Sequence, residues 1–388
     1  MRIAHIITRM IVGGAQENTL LCCQDLVRIY GDDVLLVTGP SLGPEGSLFN
    51  PDEDLGVTVR EIPQLRRAIH PWRDFSSYLA LKRILREFKP DVVHTHSAKG
   101  GMLGRMSAKA INVPAIIHTV HGAPFHPYQS VVPRTFFQWC ERYAARKCHK
   151  LVSVADAMTD LLVEANIAPL ERFSTVYSGM DVEPFLNANH DRQATRKALG
   201  FNPDHIVIGK IARLFHLKGH EYLIAAARAV VEANPKVRFL LVGDGILRER
   251  LKSEITAGGL RDHFYFTGLV PPARIPALLG AMDILVHTSL REGLARTLPQ
   301  ALIAGKPVVS YDVHGAREVV ISGETGYLIP PKTVQPLVDA MIELSTDESL
   351  RKRLGQQGQE RFTDQFRHEM MTRQLREIYE QVMAANDK

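Results

Sequence analysis

One carboxylate and two cations, each expected just beyond the carboxyl end of a buried strand, are the side chains of this 388-residue chain best placed for chemistry. Residues 283–288, DILVHT, read as an apolar parallel strand, and Glu292 and Gly293 follow where open α/β sheets hold ligands. Pro299 suits the first turn of a helix, Gly305 its end, and Lys306–Ser310 the next strand. A helix start offers backbone N–H groups and a positive dipole end to a phosphate. A carboxylate beside such a site repels phosphate, so Glu292 is expected to bind hydroxyls on what the phosphate carries, a phosphorylated sugar. Arg213 and Lys218 follow a second strand, in IGKIARLFHLKGH. Arg gives planar two-point contacts and Lys a point charge, a pairing suited to a diphosphate.

Other candidates carry less. Gly13-Gly14 between a strand and a helix is half of a dinucleotide fingerprint without its third glycine, and serves equally well as a tight turn. Among His94, His96, His118, His121 and His126, the His-x-His pair could ligate zinc, but no Cys or carboxylate completes the set, and no metal is expected. His121, before Gly122 at a strand end, is the histidine expected to face a ligand, with His94 and His118 in or beside the core. Asp52 and Asp54 read as a solvated turn rather than a divalent-ion site. No Walker-type loop and no Gly-x-Ser-x-Gly is present.

The elements that must position these groups alternate strand and helix throughout, which predicts parallel sheets covered on both faces. One set runs from the strand at residues 3–8 to that at 173–177; the pattern restarts at residue 206. The polar stretch 181–202 reads as the boundary, 323–331 as a turn-rich return, and the tail from about Arg367 to Ala384 as a helix. Two doubly wound Rossmann-like domains facing a cleft are the simplest architecture, and the length agrees.

Apolar residues make up 45% of the chain and charged residues 23%, as in ordinary globular proteins. MRIAHIIT reads as a strand rather than a signal peptide, and no apolar run is long enough to span a bilayer. Four cysteines without a C-x-x-C pair fit a reduced, cytoplasmic protein. The net charge of +5 is uneven: Arg60–Lys150 carries sixteen Lys/Arg against five Asp/Glu. That basic half could meet anionic lipid at the inner face of a membrane, or could be no more than solvated helix faces. Its aromatics do not read as interleaved with the basic residues in the way a nucleic-acid platform requires, so no nucleic acid is expected.

Taken together and in order, GGAQ at Gly13–Gln16, TVHG at Thr119–Gly122, SGMD at Ser178–Asp181, the Arg213…Lys218 pair, VGDG at Val242–Gly245, FTGLV at Phe266–Val270 and the Glu292 stretch resemble the retaining glycosyltransferases of family 4, which have the GT-B fold. The resemblance implies an acceptor-binding domain at 1–183, a nucleotide-sugar-binding domain at 184–366, and a helix at 367–388 packing back on the first. It implies a nucleotide-sugar donor, UDP-linked by preference, whose diphosphate is held by Arg213 and Lys218. Backbone N–H groups near Gly14, Leu294 and Ala295, with Gly293 in the same loop, would assist. Glu292 would hold sugar hydroxyls, His121 would contact the sugar near its anomeric centre, and Gly243, Asp244 and Leu269 would border the base. No metal or cofactor is implied. The acceptor would be a glycan or a lipid-linked sugar of surface-polysaccharide synthesis.

This chain departs from the family at Gln300, which stands where a second Glu, seven residues beyond the first, binds the ribose. An uncharged amide predicts weaker donor binding. Ser178 replaces the usual Asn at a hinge contact. A weakened nucleotide-sugar-binding relative, or an epimerase or hydrolase on the same fold, is the alternative.

Overall fold

A computed structural model of the chain describes residues 1–43, 46–49 and 55–386. The Asp52 and Asp54 turn lies outside them. The described residues form two compact units, Met1–Met180 with Gln365–Lys388, and Asp181–Asp364.

The first unit runs β1 (Arg2–Ile6), α1 (Gly14–Tyr30), β2 (Asp33–Thr38), β3 (Thr58–Glu61), α2 (Pro71–Phe88), β4 (Val92–His96), α3 (Ala98–Lys109), β5 (Ala115–Val120), α4 (Val131–Ala145), β6 (Lys150–Ser153), α5 (Asp156–Glu164) and β7 (Phe173–Thr175). Its strands pair in parallel in the order β3-β2-β1-β4-β5-β6-β7. Apolar runs such as residues 34–37 and 115–117 are buried because both faces are covered. The order reverses between β1 and β4, the crevice at which such sheets take ligands. Thr8 and Ser97 tie the two strand ends together there, their hydroxyl oxygens 2.6 Å apart.

The second unit runs α6 (Glu183–Leu186), α7 (Arg192–Ala198), β8 (Ile206–Ile211), α8 (His220–Ala233), β9 (Val237–Val242), α9 (Arg248–Ala257), β10 (Phe264–Gly268), α10 (Ile275–Ala281), β11 (Ile284–His287), α11 (Thr297–Ile303), β12 (Val308–Tyr311), β13 (Gly326–Ile329), α12 (Gln335–Thr346) and α13 (Glu348–Phe362). Its sheet order is β10-β9-β8-β11-β12-β13, with the reversal between β8 and β11. The core joins Phe239, Leu241, Val286 and Val309 to Leu223 and Val230 of α8 and Leu337 and Met341 of α12.

The last helix, α14 (His368–Asn386), belongs to the first unit. Met371, Leu375, Ile378 and Tyr379 share a core with Cys22, Cys23 and Leu26 of α1. Buried Asp25 accepts from His368 Nδ1 at 2.7 Å and Thr372 Oγ1 at 2.9 Å. Burial pushes the Cys22 thiol up to about 12, so it serves packing rather than nucleophilic chemistry.

Three stretches gain detail. The boundary stretch 181–202 contains α6 and α7, because Arg192 and Arg196 both reach Asp283, whose carboxylate also caps Val207 N–H at 2.7 Å. The return at 323–331 contains β13, a full partner of β12 despite its glycines. The helix after Glu292 spans the seven residues Thr297–Ile303, with Pro299 in its first turn and Gly305 just past its end as expected. Leu298 N–H is taken by Ala295 O at 3.0 Å.

Candidate active site

In the second unit, the loops after β8, β11 and β12 are knitted together at the sheet's switch point. Leu290 N–H donates to Leu217 O at 2.8 Å, and Gly315 N–H to Gly293 O at 3.0 Å. Thr288 Oγ1 donates to Gly219 O at 2.6 Å. Gly219 is required: its φ is +65°, and a Cβ would sit 1.9 Å from Thr288 O. These ties bring Lys218 Nζ onto Glu292 Oε1 as an ion pair, each side chain about one-fifth exposed. The loop carrying a cation for phosphate thus abuts the loop carrying a carboxylate for hydroxyls.

Arg213 is exposed on the same loop as Lys218, its guanidinium 5.1 Å from the Phe215 ring. Gly243 and Asp244 lie beside it: Leu214 N–H donates to Asp244 O at 2.9 Å, and Gly243 N–H to Gly268 O at 3.1 Å. That second bond places Leu269, 67% exposed, next to the Asp244 loop. Asp244 holds Arg248 at 2.7 Å. Gly293, Leu294 and Ala295 are half-buried between β11 and α11, and Gln300 is half-buried within α11. Of the residues singled out in the sequence, those of the second unit therefore converge on one set of strand ends. Gly14, at the start of α1, and His121, half-buried after β5, lie in the first unit.

Beneath Lys218 lies a layer not singled out in the sequence. Lys210 of β8 is 1% exposed and donates to Thr288 Oγ1 at 2.8 Å. His287 and His220 are buried beside it, and burial lowers both far below their usual range, His220 to about 3. Neutral His287, with Nε2 3.7 Å from Glu292 Oε1, leaves the carboxylate to Lys218. A lone lysine inside the run IVIGKI was the available signal.

Burial, then the Lys218 charge, lowers Lys210 from 10.5 to about 7. Between pH 7 and 10.5 the folded chain has released a proton that the unfolded chain keeps, so Lys210 makes stability rise with pH there. Below about pH 7 the whole cost of a buried charge is present. Lys210→Met is expected to raise unfolding free energy by roughly 1–4 kcal/mol at pH 6, with the gain shrinking toward pH 10. Urea melts at both pH values check it; a gain that grows with pH would refute the assignment.

The first unit contributes a cluster of imidazoles. His5 of β1 pairs in register with His94 of β4, and His94, His96 and His5 face one way. His5 Nδ1 lies 3.1 Å from His96 Nε2, and His96 Nδ1 3.1 Å from His121 Nε2. His94 bonds Tyr379 Oη at 2.5 Å and Thr119 Oγ1 at 2.7 Å, and His118 bonds Thr95 Oγ1 at 2.9 Å. Ring nitrogens of His5, His94 and His96 lie within 4.8 Å of one another, spacing that an ion could bridge. The sequence reading did not include His5, which sits inside a strand. Both nitrogens of His94 and of His96 already have partners, and among the described residues no carboxylate or thiolate joins the group.

The Glycosyl transferase 4-like domain matches residues 13–179, and Glycosyl transferases group 1 matches residues 191–361. The chain is 28% identical over 355 residues to an Escherichia coli UDP-Gal:alpha-D-GlcNAc-diphosphoundecaprenol alpha-1,3-galactosyltransferase, covering 90% of this chain and 89% of that one. It is 28% identical over 359 residues to a Streptomyces fradiae 2-deoxystreptamine N-acetyl-D-glucosaminyltransferase, covering 87% and 83%. Among solved structures, Anabaena HepE in complex with UDP superposes with a TM-score of 0.79 at 22% identity, covering 98% of this chain and all of that one. Sucrose-phosphate synthase from Thermosynechococcus elongatus superposes with a TM-score of 0.84 at 20% identity, covering 99% and 100%.

Proposed function

We propose that this chain, a glycosyltransferase with a 4-like first domain and a group 1 second domain on the GT-B fold, transfers a sugar from UDP to a lipid-linked glycan with retention at the anomeric carbon and without a metal. The pairing of Lys218 with Glu292 at the β8 and β11 ends carries this reading. On donor binding, Lys218 and Arg213 take the diphosphate, Glu292 turns to the sugar hydroxyls, and His121 contacts the sugar. The bond from the anomeric carbon to the phosphate oxygen breaks, and a bond to the acceptor oxygen forms on the same face. The acceptor proton passes to the leaving phosphate. Cations aimed at that phosphate act on charge that grows in the transition state. The loops of Gly14 and of Gly293, Leu294 and Ala295 would add backbone N–H groups, with Gly243, Asp244 and Leu269 at the base. UDP is favoured because the E. coli relative uses UDP-galactose and HepE binds UDP.

The test is a panel of UDP-, GDP- and ADP-sugars with diphosphoundecaprenol-linked acceptors, with and without EDTA. Transfer from a UDP-sugar, unchanged by EDTA, with the anomeric configuration of the donor kept in the product, is expected. Silence across the panel from folded protein would remove the reading. Gln300 favours a second one, a relative weakened in donor binding. Gln300→Glu is expected to lower the donor KM with little change in kcat; binding without product in both proteins would favour the weakened relative.

The first unit supports an acceptor held at a membrane. No helix among the described residues is long and apolar enough to cross one. Yet Ile69, Trp72, Phe75 and Leu79 at α2, and Val132, Phe136 and Trp139 on α4, are exposed, and both helices pack on α3. Arg73 and Arg134 lie among them and Arg83 follows one turn after Leu79. Apolar rings for the acyl boundary with cations for headgroups suit peripheral binding to anionic lipid. Sedimentation with phosphatidylglycerol vesicles is expected to fall as salt rises and to drop several-fold in a Trp72→Ser, Trp139→Ser double variant. Binding that ignores both would refute it.

A further inference from the structure

His5, His96 and His121 form a row in which each ring meets the next through nitrogen. The ring centres of His5 and His96 are 5.3 Å apart with planes 11° apart, and those of His96 and His121 are 5.3 Å apart with planes 28° apart. With contact nitrogens 3.1 Å apart in both pairs, the nitrogens lie close to the lines joining the centres. The rings therefore touch edge to edge rather than face over face, as N–H···N bonds require.

A neutral imidazole has one N–H and one bare nitrogen. His96 uses both, so the direction of one bond fixes the direction of the other. His5 and His96 are fully buried, and desolvation holds both far below their usual range, His5 to about 3, so the row is neutral. Its inner end sets the direction. His5 Nε2 is buried with no partner among the described residues. A buried N–H without an acceptor is rarer in folded proteins than a buried acceptor left short. His5 Nε2 is therefore the bare nitrogen and Nδ1 carries the proton. His5 Nδ1–H donates to His96 Nε2, and His96 Nδ1–H donates to His121 Nε2, leaving the His121 proton on Nδ1.

We infer that His5 and His96 are positioning residues for His121, holding it in the Nδ1–H tautomer so that it meets the donor sugar as a hydrogen-bond donor from a fixed ring. The inference rests on the reading of His121 as a donor-sugar contact, and deepens it. The row explains why two strands carry buried imidazoles where aliphatic side chains would fill a core at less cost. It also uses the two ring nitrogens of His96 completely, leaving none for a metal ion.

The test is a two-bond proton–nitrogen correlation spectrum of full-length protein labelled with 15N-histidine, the His121 signals assigned with His121→Gln. Wild type is expected to show the His121 proton on Nδ1. His5→Phe keeps a ring in the strand but removes the N–H, and is expected to mix the His121 tautomers. It should lower kcat roughly 10–100-fold, the range for partners that orient a working imidazole, with the donor KM unchanged. His5→Asn places an amide N–H near the position of Nδ1 and is expected to restore both the tautomer and most of kcat. The wild-type spectrum decides the direction even if the variants fold poorly. A His121 proton on Nε2, a tautomer unmoved in folded His5→Phe, or a stoichiometric metal ion found by elemental analysis would overturn the inference. Wild-type turnover in His121→Ala would instead remove the role of His121 at the sugar, while the spectrum would still report on the row.

Discussion

Glu292→Ala is expected to lower transfer about 10²–10³-fold while the protein stays folded, because hydrogen bonds to sugar hydroxyls that tighten in the transition state contribute several kcal/mol. The loop survives the change: Leu290 N–H to Leu217 O and Gly315 N–H to Gly293 O are backbone ties on either side of Glu292. What is lost is the carboxylate and the partner of Lys218. Without it, Lys218 stays permanently available to phosphate, so UDP itself should bind no more weakly than to wild type. That split, UDP affinity kept and transfer lost, separates a sugar-binding carboxylate from a merely structural one. Glu292→Gln, which keeps acceptor oxygen but no charge, should fall between the two. Initial rates with a UDP-sugar, UDP titration calorimetry and thermal melts measure the three quantities. Wild-type transfer in Glu292→Ala would overturn the assignment.

The second large effect is expected at Arg213. Arg213→Ala should reduce kcat/KM about 10²–10³-fold, as when one preorganised donor to developing negative charge is removed. It should also weaken UDP binding, the opposite of the Glu292 signature. Arg213 is exposed, so its removal should leave the melting temperature within a degree or two of wild type. Arg213→Lys should recover only part of the rate, since a point charge cannot reproduce the two-point contact. Full recovery in Arg213→Lys would mean that charge alone matters; no loss in Arg213→Ala would place the diphosphate elsewhere.

The alternation of parallel strand and covering helix was legible because strands buried on both faces leave continuous apolar runs, and Lys218 and Glu292 stand out where such runs end. Less legible were features that depend on distant partners. Arg192 and Arg196 sit in a stretch that reads only as a polar boundary because Asp283, which they hold, is far along the chain. β13 has four residues among glycines and prolines, and only its pairing with β12 makes it a strand. Lys210 and His5 escaped notice for a different reason. A polar residue inside an apolar strand reads as an exception until its neighbours are known, and those neighbours, Thr288 and His96, come from other strands. Trp72 and Trp139 were hidden in the basic count of their segment, since charge summed over ninety residues says nothing about which face of a helix carries the rings.

The return of α14 to the first unit sets the order in which the protein can be finished. Met180 and Arg367 are bridged where the chain leaves that unit and where it comes back, with Met180 N–H on Phe366 O at 2.8 Å. A nascent chain that has emerged through residue 180 still lacks Met371, Leu375, Ile378 and Tyr379 from the first core, and the hydroxyl that holds His94. The second unit, contiguous from 181 to 364, is complete in sequence before α14 is made. The unit begun first is therefore the one whose sequence is completed later, and its imidazole-bearing sheet is covered only once α14 has been made.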